Sequence, residues 1–600
     1  MFSSLKFHSS LIFLWLITVT VFAQQTARAN QHIHPQKHPM LSKIQADYQG
    51  GQISLDQKIL FQFYAGLQLQ SLPEPYKSSS PDPIKCGVPI IREYRANRDQ
   101  LSPSTIQEIE SMVQNVTQAQ HTYRSPSGKF KIHYDTNGED AVPAGDTEPE
   151  NGIPDYVDQV AAAADSSWRH EVQTLGHSDP VIGPSEPYNI YFKNFNYYGQ
   201  TWPSNSTTYF VIHNNFNGFP ENTDPEGDQA GAIKVTVAHE LKHAIQYANS
   251  KWYWPSDSQS PHGESWSEMD ATLMEEVVYD DVNDYYNYIY YSSSIFNSGS
   301  HSIPASYEGV TWFIYFKERY GDAFWPAVWN RIERRYETQQ NQQNPDYLMM
   351  LEAITMTLQQ DYDESFKHAL AESHLWHYAS GDQYSIMDFG FQEKEEYPNP
   401  NINATIVARD SMNTPRPIPS LGAHYITARK EPMLAGFVQV QAEFDSTFTN
   451  FGLIGYFSDG SVRTMTQPGN ASGTLTITTN WDWNALQEVG IVVTNSSNTT
   501  STGYQLTVTS QIPEEIQLAQ NYPNPFNPGT TIEFGLPEQT HVELAVYDIV
   551  GRKVATLQDE VLLAGYYDVP FNGRNLASGV YFYRLVTDQQ VIVKKMTLIK

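Results

Sequence analysis

Val235-Thr236-Val237-Ala238-His239-Glu240-Leu241-Lys242-His243-Ala244-Ile245-Gln246-Tyr247-Ala248-Asn249 is the stretch on which the reading of this chain turns. It holds neither proline nor glycine, so nothing interrupts a helix. On a helix the four-residue spacing puts His239 and His243 on one face, a turn apart, where both imidazoles reach one ion. Zinc suits two neutral imidazoles and a carboxylate, with a fourth position left open for water. Glu240 lies beside that face, where it acts as general base and proton shuttle rather than as ligand. Lys242 falls in the same turn: facing away from the ion it is harmless, facing inward its charge opposes metal binding.

A second carboxylate-bearing helix follows: Trp266-Ser267-Glu268-Met269-Asp270-Ala271-Thr272-Leu273-Met274-Glu275-Glu276. Glu268, Ala271 and Glu275 at this spacing, with an aromatic residue just upstream, are similar to the third-ligand helix of gluzincins. The resemblance implies Glu268 as third ligand and Glu275 as the group that orients a ligand imidazole. Glu264 is the alternative third ligand. The segments Gly128–Tyr134 and Asn151–Val157, taken with the two helices, resemble a group of exported bacterial zinc metalloproteases over residues ~50–395. That likeness implies a zincin-like α+β domain acting on a protein or peptide substrate. Tyr307 and His301 are candidates for the donor that meets the developing oxyanion.

The rest of the chain frames this site. Its 600 residues exceed what one core can organise, so several domains are expected. A net charge of −30 argues against a nucleic-acid partner, because phosphates demand basic patches. Lys6, the apolar run Leu11–Phe22 and Val21-Phe22-Ala23 form a signal peptide at 1–23, and no later stretch reads as a transmembrane anchor in the mature chain. Residues 31–125 have the look of a prodomain. Strand-like alternation followed by helical periodicity, including a helix at 363–378, gives an α+β domain at 126–395. Short strands separated by Gly, Asn, Ser and Thr suggest a β-sandwich accessory domain at 404–510, and a second β-sandwich follows at 511–600. Tyr209–Ile212 is the strand expected to offer its edge to a substrate.

Three further motifs carry chemistry. Pro83-Ile84-Lys85-Cys86-Gly87-Val88-Pro89 resembles the prodomain cysteine switch of matrix metalloproteases, in which a thiolate fills the open zinc position. Lys85 stands where that family has Arg, and Ile90 where it has Asp. The alternative is that Cys86, the one cysteine of the chain, is a buried structural thiol. Asp146, Glu148, Asn151 and Asp155 resemble a calcium loop, or else an acidic turn that caps the helix starting near Pro154. In residues 512–600, Asn521–Pro528, Val546–Arg552, Leu576–Tyr583 and the basic end Lys594-Lys595-Met596 resemble the type A C-terminal sorting domain of the type IX secretion system. This implies the type IX machinery as a partner, and a protein secreted or held at the cell surface of a Gram-negative bacterium.

The expectation is a secreted zinc endopeptidase, multidomain, with a zincin-like domain followed by two β-sandwiches. The alternative is a cell-surface adhesin or glycan-binding protein whose metal site is structural or decayed. A metallohydrolase of non-peptide substrates also satisfies the motif.

Overall fold

The computed structural model describes residues 38–77, 83–180, 187–204, 207–252, 263–290, 294–296, 303, 306–342, 348–381, 389–414, 416–430 and 436–600. It is a multidomain α/β protein with several sheets, and it divides into two compact units, the first ending at Phe366 and the second running from Lys367.

The first unit opens with helices α1 (Pro39–Gln49) and α2 (Leu55–Leu67), strand β1 (Ile84–Cys86), and helices α3 (Val88–Asn97) and α4 (Pro103–Val116). Strands β2 (His121–Arg124) and β3 (Phe130–Tyr134), helix α5 (Asp155–Trp168), and strands β4 (Tyr188–Lys193), β5 (Tyr197–Ser204) and β6 (Thr207–His213) follow. The six strands form one sheet in the order β1-β5-β6-β4-β3-β2. Both of its edges come from the segment read as a prodomain: β1 runs parallel to β5, and β2 antiparallel to β3. Residues 31–125 are therefore not set apart as a compact unit of their own. The expected edge, Tyr209–Ile212, lies in β6, which is hydrogen-bonded on both sides by β5 and β4. The chain doubles back through β5, so the edge nearest the site is β5, and β1 covers it.

Helix α6 (Asp228–Ser250) packs across this sheet beside α5. Ile233, Val237, Leu241 and Ile245 recur at helical spacing and join Val157, Val160, Ile190, Phe210 and Ile212 in one core. Leu241 is completely buried, so Leu241→Ala would cost about 2–5 kcal/mol. The other flank of α6 is covered by α7 (Gly263–Val278), and a helix buried on all sides can hold polar side chains only where they are paired. Helices α8 (Tyr286–Ile289), α9 (Val310–Tyr320), α10 (Phe324–Gln339) and α11 (Met350–Asp361) complete the unit.

The second unit takes all but the first residue of α12 (Phe366–Tyr378). This helix, expected to belong to the 126–395 domain, instead buries Leu375 and Tyr378 against Tyr425, Ile454, Tyr456 and Val492. Its apolar face needs a partner, and the outer face of a five-stranded sheet supplies one. That sheet is built from β7 (Ala404–Val407), β9 (Ala423–Arg429), β11 (Thr449–Phe457), β12 (Val462–Pro468) and β14 (Leu486–Asn495). Coverage on both faces explains why every residue of β11 is buried. Its inner face packs on a four-stranded sheet of β8 (Ser411–Asn413), β10 (Phe437–Phe444), β13 (Thr474–Asp482) and β15 (Tyr504–Gln511). A second pair of sheets holds β16 (Gln517–Leu518), β17 (Gly529–Leu536) and β20 (Gly565–Asn572) on one side. On the other are β18 (Thr540–Tyr547), β19 (Lys553–Leu562), β21 (Gly579–Val586) and β22 (Val591–Leu598). Ile532, Phe534, Leu544, Tyr583 and Met596 lie in the core between them.

Candidate metal centre

His239 and His243 project from one face of α6, with their Nε2 atoms 3.1 Å apart. Their other nitrogens are committed: His239 Nδ1 lies 2.7 Å from Glu275 Oε1, and His243 Nδ1 lies 2.9 Å from Gln246 Oε1. A carboxylate and an amide oxygen can only accept, so both protons sit on Nδ1 and two Nε2 lone pairs face each other. Glu268 of α7 adds its oxygens, Oε2 at 3.3 Å from His239 Nε2 and Oε1 at 3.4 Å from His243 Nε2. Neither oxygen has an aligned hydrogen-bond donor. Cys86 Sγ completes the group, 3.4 Å from His243 Nε2. Four buried donor groups, Cys86, His239, His243 and Glu268, thus converge with their ligand atoms within 4.8 Å of one another. Lone pairs meeting lone pairs in a dry site are tolerable only around a cation, so the donor set fits a metal ion.

The electrostatics point the same way. Burial lowers the His239 pKa, but the neighbouring carboxylates of Glu268 and Glu275 outweigh it and carry it to about 9. Burial, then the Glu240 and Glu268 charges, push the Cys86 thiol well above its ordinary range. Only a cation held beside it makes it a thiolate.

Glu240 is fully buried one residue from His239, and the Thr201 hydroxyl donates to its Oε2 at 2.6 Å. Its backbone neighbour across the gap is Gly199 of β5, which sits so close that a Cβ there would meet Glu240 Oε1 at 2.7 Å. Burial raises the Glu240 pKa against the lowering effect of His243 and His239. The Tyr307 ring lies 5.9 Å from that of His239. Burial first, then the Glu268, Cys86 and Glu240 charges, hold its phenol well above the usual range, so it stays a donor.

His239, Glu240, His243, Glu268, Glu275, Cys86 and Tyr307 come together at one site. Lys242 faces away from it: its Nζ lies 2.9 Å from His177 Nε2 and 3.5 Å from Asp270 Oδ2, in a pocket sealed from solvent. The side chain of Glu264, and His301, lie outside the described residues. Asp146 accepts from the amides of Asn151 and Gly152, Asp155 accepts from Thr147 and Glu148, and Asn151 donates to Asp158. Asp146, Glu148, Asn151 and Asp155 tie down a turn, and among the described residues they are not gathered as a ligand group.

The sequence did not reveal the supports. Gln246 also donates to Asp270 Oδ2 at 2.8 Å and to the Ser267 carbonyl at 3.0 Å, locking α6 to α7 behind His243. Its position three residues after His243 was a readable signal; Thr201 and Asp284 carried none. Lys85, next to Cys86, reaches Glu275 Oε2 at 2.9 Å and Asp284 Oδ2 at 2.5 Å.

Residues 520–600 match the family described as the secretion system C-terminal sorting domain. No curated protein matches the chain. Similar solved structures include PorZ, a surface component of the type IX secretion system of Porphyromonas gingivalis, at 16% identity over 22% of this chain and 15% of that one, with a TM-score of 0.12. A β-glucuronidase of Faecalibacterium prausnitzii is 9% identical over 30% of this chain and 37% of its own, with a TM-score of 0.11. Domains 3 and 4 of rat CD4 are 10% identical over 33% of this chain and 99% of theirs, also at 0.11. The chain spans well under half the length of the first two, and likeness at these scores says nothing of activity. Among the described residues no helix is long and apolar enough to cross a membrane. Residues 520–600 are a type IX secretion C-terminal sorting domain, and the chain is exported to the cell surface or secreted.

Proposed function

We propose that this chain is a zinc-dependent endopeptidase of zincin-like fold, held latent by Cys86. One observation carries the reading: the paired Nε2 atoms of His239 and His243 and the carboxylate of Glu268 converge, with the buried carboxylate of Glu240 beside them on the same helix. Zinc bound by these three residues supplies Lewis-acid polarisation of a scissile carbonyl and lowers the pKa of water. Glu240 takes a proton from the attacking water, and its burial-raised pKa lets it hold that proton until the leaving amine accepts it. Tyr307, kept protonated, donates to the oxygen on which negative charge develops. Glu275 and Gln246 fix the tautomers and ring planes of the two imidazoles. A site with four protein donors is closed, so Cys86 and its strand must leave before substrate enters.

The same closed set favours a second reading, an export-tagged surface protein whose metal is structural, with the β domains carrying adhesion. Glu240 separates the two, since a structural site needs no buried carboxylate beside its ligands. In a Cys86→Ser background, Glu240→Gln retains one zinc per chain and loses about 10²–10⁴-fold of casein hydrolysis. If both chains were inert, or equally active, the endopeptidase reading would be lost.

A further inference from the structure

Asp284 is one of the buried charged groups that the mechanism leaves unused. It is completely buried, contributes no metal-ligand atom and stands outside the acid–base chemistry, yet its Oδ2 holds the Lys85 ammonium at 2.5 Å. Lys85 enters this position from β1, which lies along the edge strand β5 with Ile84 opposite Tyr197 and Cys86 opposite Gly199. Main-chain bonds fix that register, from Ile84 N to the Asn196 carbonyl at 2.9 Å and from Gly87 N to the Gly199 carbonyl at 3.1 Å. An extended peptide added to a sheet edge is also how a protease takes its substrate. β1 thus occupies the place a substrate would take, with Cys86 at the metal donors and Lys85 immediately beside it.

The lysine pocket has walls as well as a floor. The ammonium lies 4.5 Å from the Tyr198 ring centroid and 5.4 Å from that of Tyr288, with Glu275 Oε2 at 2.9 Å. Asn287 Nδ2 and the Tyr288 hydroxyl, each 3.4 Å from an Asp284 oxygen, hold the carboxylate in place. When β1 leaves with Cys86, Glu275 keeps the His239 imidazole, whereas Asp284 loses its cation. A buried carboxylate stripped of its ion-pair partner is strongly destabilised, and another alkylammonium is the group that restores it. We propose that the pocket filled by Lys85 is a specificity subsite that selects a lysine side chain next to the scissile bond. The inference rests on the endopeptidase reading and names its substrate class: proteins cut beside lysine.

Two arms test it. In the first, the thermal midpoint of the full chain carrying Lys85→Ala is measured with n-butylammonium chloride and with n-butanol. The ammonium raises the midpoint by several degrees while the alcohol does not, and Lys85→Ala/Asp284→Asn responds to neither. In the second, Cys86→Ser/Lys85→Ala chains are offered peptides that differ only in lysine or norleucine along one frame. The lysine peptide is favoured at least 100-fold in kcat/KM at one fixed position, because an apolar side chain leaves Asp284 unpaired, and Asp284→Asn collapses that ratio. Should Lys85→Ala not fold, Lys85→Met replaces it in the peptide arm. Absence of the ammonium response in a folded chain, or cleavage indifferent to lysine, overturns the subsite. An intact ammonium response with no peptide cut supports the pocket and removes the endopeptidase reading instead.

Discussion

Gly199→Ala presses on the proposed base, because the three atoms nearest a Cβ there all belong to Glu240. A methyl at Gly199 would lie 2.7 Å from Glu240 Cγ and Oε1 and 2.9 Å from Cδ. Comfortable non-bonded contacts fall near 3.5–4.0 Å, so one of the two groups must move by about 1 Å. The strand is not free to yield, because β5 is paired with β6 from Gly199 to Ser204 and with β1 on its other side. Alanine also meets no backbone penalty, since Gly199 is not in the left-handed region. The carboxylate therefore gives way, against the 2.6 Å bond from Thr201. A displacement of about 1 Å at a reacting group costs on the order of 10²-fold in rate. The assay is turnover of a fluorogenic peptide in the Cys86→Ser background, with zinc content and thermal midpoint measured in parallel. The expected result is a loss of about 10²-fold in kcat, with zinc retained and the midpoint lowered only modestly. Activity within two-fold of the parent, in a chain of unchanged stability, would refute the assignment of Glu240.

Gly87→Ala should loosen the latch: its Cβ would fall 1.9 Å from Gln200 Nε2 and 2.0 Å from Cγ, inside a fully buried residue. The measurable consequence is faster labelling of Cys86 by a thiol reagent than in the parent chain. Chelation with a strong zinc ligand should lower the melting transition of the first unit and leave that of the second unchanged, because the converging lone pairs lie wholly in the first; coincident shifts of both transitions in calorimetry would contradict this. The second unit should be acid-sensitive for a different reason. Burial depresses His377 to about 3 and His424 to about 4 from an ordinary 6.5. Between those values the unfolded chain binds more protons than the folded one, so stability falls as pH drops from about 6.5 towards 4, by up to a few kcal/mol per histidine. His424→Gln and His377→Gln should flatten the pH dependence of the second transition.

The candidate metal helix was legible because its pattern is local. His239 and His243 are one turn apart by helix geometry alone, and the seven-residue spacing of Glu268 and Glu275 lets both reach the His239 imidazole from one neighbouring helix. Lys242 could not be oriented from spacing. Its direction depends on His177, which lies beyond α5, and on Asp270 from the next helix. The β1 strand was the least readable part. Three residues carry too little pattern to announce a strand, and its parallel pairing with β5 joins segments more than a hundred residues apart. The expected substrate edge failed for a related reason, since Tyr209–Ile212 alternates like an edge strand but lies between two neighbours. Asp146 and Asp155 accept from backbone amides about a glycine turn, a role that sequence spacing does not distinguish from holding an ion. Helix α12 was assigned to the wrong unit because periodicity gives an apolar face but not the surface that covers it. The sorting domain was legible throughout, since its motifs recur in order along the whole module.

Whether the site is latent, with sulfur bound to its metal, is read from X-ray absorption at the zinc edge of the unprocessed protein. The expected spectrum has one zinc per chain, with a single sulfur scatterer at about 2.3 Å and nitrogen and oxygen scatterers near 2.0–2.2 Å. Cys86→Ser should remove the sulfur shell without removing the metal. A protein that binds no zinc, or a zinc shell that shows no sulfur in the unprocessed chain, would contradict the account.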